Sequence, residues 1–290
     1  MKKYLFLLPV YNDWKSLNLL LSKIDKEIGE KSNKADILVV NDNSSEEIYF
    51  DIKLFKNFQN LKVITLNKNL GSQKSIAIGL KYLFSEKKDY LITILDADGE
   101  DDPSKINEMI ENAQKFKNFV IASSRTNRKE NLLFKILYFF HKVFTFLFSA
   151  KWISFGNFSS FDSENLKEIL KNNNVWLAYS SSIALNSNVK KLYAKRKQRY
   201  FGESKVNFAS LALHSMRVIS VLYLRVMIFS IIYFLALFLI YLSYNNIYLI
   251  VPMFGLVILN ISNLLVRKLI NIENLNFWKN NIKEIKNISL

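Results

Sequence analysis

Two uncharged apolar runs stand almost back to back late in the chain: Val226–Ser243, 18 residues, and Ile247–Val266, 20 residues. At 1.5 Å per residue each would reach about 27–30 Å as a helix, the thickness of a bilayer's hydrocarbon core. Only Tyr244-Asn245-Asn246 joins them, which leaves room for a hairpin. Arg225 precedes the first run, and Arg267 and Lys268 follow the second. The tendency of basic flanks to remain in the cytoplasm puts both hairpin ends there and the Asn-Asn turn outside. The competing reading is a helical hairpin buried in a soluble core, which two neighbouring uncharged runs of this length disfavour. Pro252, Asn260 and Asn263 in the second run are expected to face a neighbouring helix rather than lipid.

Half of the 290 residues are apolar, which excludes a disordered chain and allows one large domain or two small ones. Lys and Arg number 40 against 25 Asp and Glu, a formal charge of +15 that suits a polyanionic partner: nucleic acid, a nucleotide or an anionic membrane. The positive charge gathers beside apolar segments rather than along a soluble face carrying base-stacking aromatics, which argues against nucleic acid. With no cysteine there is no disulfide or thiolate metal site, and two histidines, His141 and His214, are too few for a His-based centre. Any metal must sit on carboxylates. Met-Lys-Lys followed by Tyr4–Leu8 resembles the start of a signal peptide, but Pro9, Asn12 and Asp13 stop the run and no small-residue cleavage site follows. It reads as a first strand.

Short apolar runs at Tyr4–Val10, Ile37–Asn41, Lys62–Leu66, Tyr90–Leu95 and Phe119–Ala122 alternate with helical patterns near Asp13–Ile28, Ser72–Phe84 and Pro103–Lys117. This order predicts an α/β domain with a mostly parallel sheet covered by helices on both faces. Ligands of such sheets bind outside the carboxyl ends of the strands. The segments there are Pro9-Val10-Tyr11-Asn12-Asp13, Asn41-Asp42-Asn43-Ser44-Ser45, Asn67 to Gly71, and Asp96-Ala97-Asp98-Gly99. Three of the four carry Asp, which a generic core does not require. Gly71, Gly79, Gly99, Gly156 and Gly202 lie beside polar strand ends or loops in a chain with only seven glycines.

Taken in order, these segments resemble the membrane-bound family 2 glycosyltransferases of GT-A (Rossmann-like) fold, close to the polyprenyl-phosphate glycosyltransferases. Pro9-Val10-Tyr11-Asn12-Asp13 is similar to a PVYNE opening, and Val39–Ser45 to VDDGSxD. Asn69-Leu70-Gly71-Ser72-Gln73 with Gly79 is similar to N-x-G-x-Q…G, and Asp96–Pro103 to DADLQDPP. Arg199-Tyr200-Phe201-Gly202-Glu203-Ser204-Lys205 matches an R-x-x-G-x-S-K stretch ahead of membrane helices. Each motif alone is weak; five in this order, followed by two spans, are specific over about residues 4–225.

The resemblance implies transfer of a sugar from a nucleotide-diphosphate donor, of UDP or GDP type, to a lipid-linked acceptor, most simply a polyprenyl phosphate. Asp96 and Asp98 would hold Mg²⁺ or Mn²⁺, which prefer hard oxygen ligands and neutralise the departing diphosphate. Arg199 and Lys205 would add positive charge from a loop closing over that diphosphate. Asp42 would bond the base or ribose; Pro9, Tyr11, Asn12, Asp13, Gly71 and Gln73 would belong to the nucleotide pocket, with Arg125 beside them. The same residues have plainer readings. Asp96 and Asp98 could cap the helix near Pro103, although Asp101 and Asp102 are better placed. Asp42 could make only a turn. Arg199 and Lys205 lie in a basic run (Lys190, Lys191, Lys195, Arg196, Lys197) that could attract lipid headgroups. The resemblance also allows a homo-oligomer.

One segment departs from the pattern. Where polyprenyl-phosphate transferases show a stretch like D-x-G-D-F-R-L, this chain has Ser154-Phe155-Gly156-Asn157-Phe158-Ser159-Ser160, without the acidic and arginine positions. That leaves open the general base and the acceptor, which could instead be a glycan hydroxyl on a lipid-linked saccharide or lipopolysaccharide. It is also the one feature favouring a non-catalytic nucleotide-binding membrane module.

Leu132–Ala150 is dense in Leu and Phe, with Lys135, Lys142, Thr145 and Ser149 in an arc of about 80°. Such a stripe suits a helix lying in the lipid interface, with a third membrane span as the alternative. The expected organisation is a catalytic domain over 1–207 with an interfacial helix over 131–153. A juxtamembrane helix over 208–225, two spans over 226–268 and a polar cytoplasmic tail over 269–290 complete it. The protein is thus expected to be integral to an inner or plasma membrane, its catalytic domain cytoplasmic.

Overall fold

The computed structural model describes residues 2–31, 33–126, 132–202 and 208–290. The chain divides into two compact units: Met1–Lys129, Phe155–Lys205 and Glu273–Leu290 form the first, Glu130–Ser154 and Val206–Ile272 the second.

The first unit is built on an eight-stranded sheet, with β1 (Lys3–Val10), β2 (Ala35–Asn41), β3 (Phe58–Leu66), β4 (Tyr90–Ile94), β5 (Phe119–Thr126), β6 (Phe155–Asp162), β7 (Asn188–Lys195) and β8 (Ile282–Ile288) in the order β7-β5-β6-β4-β1-β2-β3-β8. Its helices are α1 (Trp14–Gly29), α2 (Ser72–Glu86), α3 (Ile106–Lys115), the short α5 (Leu166–Ile169) and α6 (Tyr179–Asn186). The four central strands β4-β1-β2-β3 are parallel, as the apolar runs predict, and β1 and β2 are buried on both faces. Tyr4, Phe6, Leu8 and Val10 pack with α1 and α3. On the opposite face a Cβ at Gly79 of α2 would meet Leu7 and Val40, so glycine lets the helix approach. Helix α1 buries Trp14, Leu17, Leu20, Leu21, Ile24 and Ile28, one stripe at helical spacing.

Four of the seven strand pairings among the described residues are parallel, as expected, and three antiparallel ones make the sheet mixed. β6 runs antiparallel to both β4 and β5, and β8 antiparallel to β3. β8 is a departure from the expected polar tail: residues after the second apolar run return to the sheet and cover its β3 edge. Before it, Leu275 is buried, Trp278 meets Tyr82 edge-on at 6.3 Å, and Asn67 bonds to the Asn280 and Asn281 carbonyls.

The second unit comprises α4 (Leu132–Ser149), α7 (Phe208–Val221), α8 (Tyr223–Tyr244) and α9 (Ile250–Ile270). Asn245 ends α8 in the left-handed conformation, and the Asn246 side chain accepts from the Tyr248 N–H at 3.0 Å, so the two linker asparagines close one helix and open the next. Two helical stretches, Tyr223–Tyr244 and one beginning at Ile247, are long and apolar enough to cross a membrane, and only 11% of each apolar window is buried. That exposure argues against a hairpin buried in this chain's own core. Asn263 is buried against the Ser220 hydroxyl, as expected, whereas Pro252 is exposed; in the first turn of α9 its missing N–H costs no helical bond.

The stripe on α4 is also re-read. Thr145 and Ser149 are buried and bond back to the His141 and Thr145 carbonyls, while Phe139, Phe140, Phe146 and Leu147 are exposed. Arg225 donates to the Ser149 carbonyl and the Tyr233 hydroxyl to the Leu147 carbonyl, tying α4 to α8. The apolar face of α4 is the outer one, and its polar stripe ends inside the unit.

Candidate active site

The loops that follow β1, β2 and β3 are knitted together by short polar side chains. Asn12 adopts φ 48°, and its amide spans to the next loop: Nδ2 donates to Ser45 Oγ, and Oδ1 accepts from the Ser45 and Glu46 N–H groups. Asp42 is buried, and its two oxygens accept from the Leu70 and Gly71 N–H groups, each at 2.7 Å. Burial raises its pKa, against the pull of those two bonds. Asp42 thus braces the loop that carries Gly71 (φ 88°), rather than standing open beside it. Pro9 is buried in β1 past the last residue paired with β4, while Tyr11 is exposed.

Asp96 and Asp98 follow β4, with Ala97 between them turned into the core. Asp98 Oδ1 accepts from the Glu100 N–H at 3.0 Å, and Oδ2 lies 3.4 Å from Arg199 Nη1. The other arm of that guanidinium, Nη2, is 2.6 Å from Asp13 Oδ2. Burial, and then the neighbouring Asp96 carboxylate, push the Asp98 pKa up to about 6. Two adjacent, largely buried carboxylates form a site whose charge calls for a cation. Among the described residues no cluster of three or more His, Asp or Glu side chains could hold a metal ion. The donor set that two carboxylates offer is one that a cation of the Mg²⁺ type would take, with phosphate and water completing its shell.

Residues 196–200, after β7, lie along residues 98–102. The Lys197 N–H donates to the Glu100 carbonyl and the Tyr200 N–H to the Asp98 carbonyl. Arg196 Nε is 3.0 Å from Glu100 Oε2, and Lys197 Nζ 3.2 Å from Asp102 Oδ2. The Asp102 side chain also accepts from the Ser104 N–H, so the helix-capping role falls to it and not to Asp96 or Asp98. Gly99 has φ 80°, and a Cβ there would come within 2.2 Å of the Tyr200 ring, over which Lys23 Nζ sits at 4.1 Å. Arg196 and Lys197 from the basic run are therefore matched to acids in the D-x-D loop. Sequence reasoning missed this pairing, although the run Glu100-Asp101-Asp102 was its available signal. Lys205 lies outside the described residues, as does the side chain of Arg125.

The departing segment sits behind Asp96. Asn157 Nδ2 donates to Asp96 Oδ1 at 3.0 Å and Oδ2 at 3.3 Å, and Asn157 Oδ1 accepts from Gln73 Nε2 at 3.2 Å. Gln73 is thus a partner of the D-x-D segment from behind. Ser159 is wholly buried; its Oγ lies 3.0 Å from the Asn157 carbonyl and 2.6 Å from the Tyr179 hydroxyl.

Residues 6–173 match the family described as Glycosyl transferase family 2. The undecaprenyl-phosphate 4-deoxy-4-formamido-L-arabinose transferase of Klebsiella pneumoniae (strain 342) is 28% identical over 136 residues, 46% of this chain and 40% of that protein. The chain spans less than half the length of the curated relatives it matches. Mannosyl-3-phosphoglycerate synthase from Rubrobacter xylanophilus has a TM-score of 0.54 at 13% identity, over 77% of this chain and 74% of that one. Glucosyl-3-phosphoglycerate synthase from Mycobacterium tuberculosis, solved with Mn²⁺, UDP and glucosyl-3-phosphoglycerate, gives 0.50 at 10% identity, over 77% and 80%. At such identities the likeness establishes a common fold, the one expected from the sequence.

Proposed function

The chain belongs to glycosyl transferase family 2, and from that premise we propose that it moves one sugar from a nucleoside-diphosphate donor to a polyprenyl phosphate at a membrane surface. The observation that carries the reading is the meeting of Asp96, Asp98, Asp13 and Arg199 at the carboxyl ends of the central strands. A divalent cation on Asp96 and Asp98, Mg²⁺ or Mn²⁺, would neutralise charge on the departing diphosphate; the Mn²⁺ and UDP of the mycobacterial synthase support that choice.

Arg199 supplies two guanidinium arms in a place that already faces carboxylates, and a donor diphosphate would compete for the same arms. Asn12 and Asp42 hold the loops after β1, β2 and β3 in register for a nucleotide. In the transfer the bond from the anomeric carbon to the donor phosphate oxygen breaks, its electron pair leaving with the nucleoside diphosphate. A bond to an acceptor oxygen forms in its place. A phosphate monoester, with a second pKa near 6, is already ionised and requires no proton acceptor. An amide at Asn157 and a buried hydroxyl at Ser159 supply none, which is compatible with a phosphate acceptor. The acceptor named in the Klebsiella relative supports the same class.

The apolar hairpin would anchor the enzyme. Strand β8 returns to the sheet that the chain leaves after β7, so the excursion between these two strands would cross an even number of times. With Arg225, Arg267 and Lys268 at the hairpin ends, the first unit belongs on the cytoplasmic side.

The test is purified protein in detergent with undecaprenyl phosphate and a panel of UDP- and GDP-sugars. Nucleoside diphosphate should be released only with lipid and a divalent cation, and the product should be labile to mild acid. Undiminished turnover in Asp96→Ala and Asp98→Ala would remove the mechanism. An acid-stable product would shift the acceptor to a glycan hydroxyl.

A further inference from the structure

Behind the first aspartate of the D-x-D segment, two side-chain amides stand in a row whose direction is set by the main chain. The row begins at Tyr179, the first residue of α6, whose N–H has no carbonyl of its own helix to bond. It donates instead to Gln73 Oε1 at 2.7 Å. A backbone N–H can only donate, so the Gln73 amide is turned with Nε2 toward Asn157, where it donates to Oδ1 at 3.2 Å. Asn157 in consequence turns Nδ2 toward Asp96 and reaches both carboxylate oxygens, at 3.0 and 3.3 Å. The oxygen and nitrogen of an amide are ordinarily assigned by the surrounding bonds; here the chain of bonds starts from a group with one polarity. Ser159 closes the arrangement from a second side, linking the Asn157 carbonyl to the Tyr179 hydroxyl, and Gln73, Ser159 and Tyr179 are all buried.

We propose that Asn157 is a positioning residue: the relay from the Tyr179 N–H through Gln73 and Asn157 holds the Asp96 carboxylate in the orientation that receives a divalent cation. The inference rests on the reading of Asp96 and Asp98 as the cation-holding pair. A ligating carboxylate is oriented by the donors around it, and such outer partners control affinity without touching the ion. An aspartate at 157 would present only acceptors and a like charge to Asp96 at neutral pH, whereas the amide presents a donor and no charge. The residue that looks like a loss against the polyprenyl-phosphate pattern is, in this arrangement, matched to Gln73 on one side and Asp96 on the other. Ser159, where the pattern has arginine, completes the same buried network.

The test uses the full chain in detergent and Mn²⁺ alone, with free Mn²⁺ read by electron paramagnetic resonance and folding by circular dichroism and Tm. Asn157→Ala should weaken Mn²⁺ binding by about tenfold to a hundredfold, the range for outer partners of metal ligands. Gln73→Met, which breaks the row one step earlier, should weaken it too. The double variant should be no weaker than the worse single one within about twofold, because both cut one path. Wild-type protein that takes up no Mn²⁺, either alone or with UDP or GDP added to supply the phosphate ligands, overturns the reading of the aspartate pair; where uptake needs the nucleotide, the variants are compared with it present. Wild-type uptake with Asn157→Ala within about twofold of it, or losses that multiply in the double variant, overturns the relay alone. A variant of unchanged Mn²⁺ affinity and lowered Tm assigns Asn157 to stability only, which also overturns it. Should Asn157→Ala fail to fold, Gln73→Met carries the same comparison.

Discussion

Arg199 Nη2 lies 2.6 Å from Asp13 Oδ2 while Nη1 of the same guanidinium lies 3.4 Å from Asp98 Oδ2, so one cation joins the loop after β1 to the loop after β4. A lysine carries the same charge as a single point on a flexible stem and cannot span two carboxylates in this way. Arg199→Lys is therefore expected to keep the fold and lose about tenfold to a hundredfold in kcat/KM, less than the 10²–10³ typical of removing a transition-state donor outright. Steady-state release of nucleoside diphosphate, with Tm as the folding control, measures it. Rates within twofold of wild type would show that the bridge has no part in transfer.

Asp98 gives the pH dependence. Its pKa stands at about 6 because burial and Asp96 disfavour its charged form. A carboxylate raised in the folded state binds more protons there than in the unfolded chain. Its penalty is thus absent below the ordinary value near 4 and develops as pH rises from about 4 to about 6. At pH 7.5 the metal-free protein carries the full penalty, on the order of 3 kcal/mol. Asp98→Asn should raise the Tm of metal-free protein at pH 7.5 by a few degrees and leave it nearly unchanged at pH 4. The same substitution should abolish the added stability that Mn²⁺ gives wild type. A Tm that falls at pH 7.5 would mean that the bonds to Glu100 and Arg199 outweigh desolvation.

Gly99 and Gly71 separate backbone strain from crowding. Both have positive φ, 80° and 88°, but a Cβ at Gly99 would strike the Tyr200 ring, while one at Gly71 has nothing within 4 Å. Alanine at Gly71 should cost only the backbone penalty of its φ 88°, ψ 155° conformation, a region kept almost wholly to glycine, about 1–3 kcal/mol. Alanine at Gly99 adds a steric cost of about 1–3 kcal/mol and displaces Tyr200, whose N–H bonds to the Asp98 carbonyl. Gly99→Ala should thus lower both Tm and activity more than Gly71→Ala does. Thermal melts and turnover of the pair decide it, and equal losses would remove Tyr200 from the account.

What could be read in the sequence was whatever local pattern determines. Strands β1 to β4 are continuous apolar runs, and the site loops follow them directly, so the aspartates could be placed before any coordinates. Three strands were hidden for physical reasons. β6 reads FGNFSSFD, poor in strand-forming residues, and is ordered by pairing on both sides. β7 carries Lys190, Lys191 and Lys195 on a half-exposed edge, a composition poor for a strand. β8 reads IKEIKNI, with isoleucines every third residue, a spacing that suggests a helical stripe; only its partner β3 makes it a strand. The ties of Arg196 to Glu100 and of Asn157 to Asp96 join residues 96 and 61 positions apart, beyond the reach of any local pattern.

Strand β8 makes the orientation of the chain testable. Because Leu61 to Leu66 pair with Ile288 to Ile282, the segment after α9 is part of the same sheet as the site loops and lies on the same side of any membrane. On the proposed anchoring, the Asn245-Asn246 turn, between the two apolar helices, would lie on the other side. The chain has no cysteine, so single cysteines can be introduced without background. In intact bacterial cells a membrane-impermeant maleimide should label Asn246→Cys and leave Ser289→Cys unlabelled until the membrane is opened. The converse pattern would put the site loops outside, away from a cytoplasmic pool of nucleotide-sugars. Labelling of both positions, or of neither, in intact cells would mean that the two helices do not cross the bilayer as a pair, and the anchoring role would be withdrawn from them.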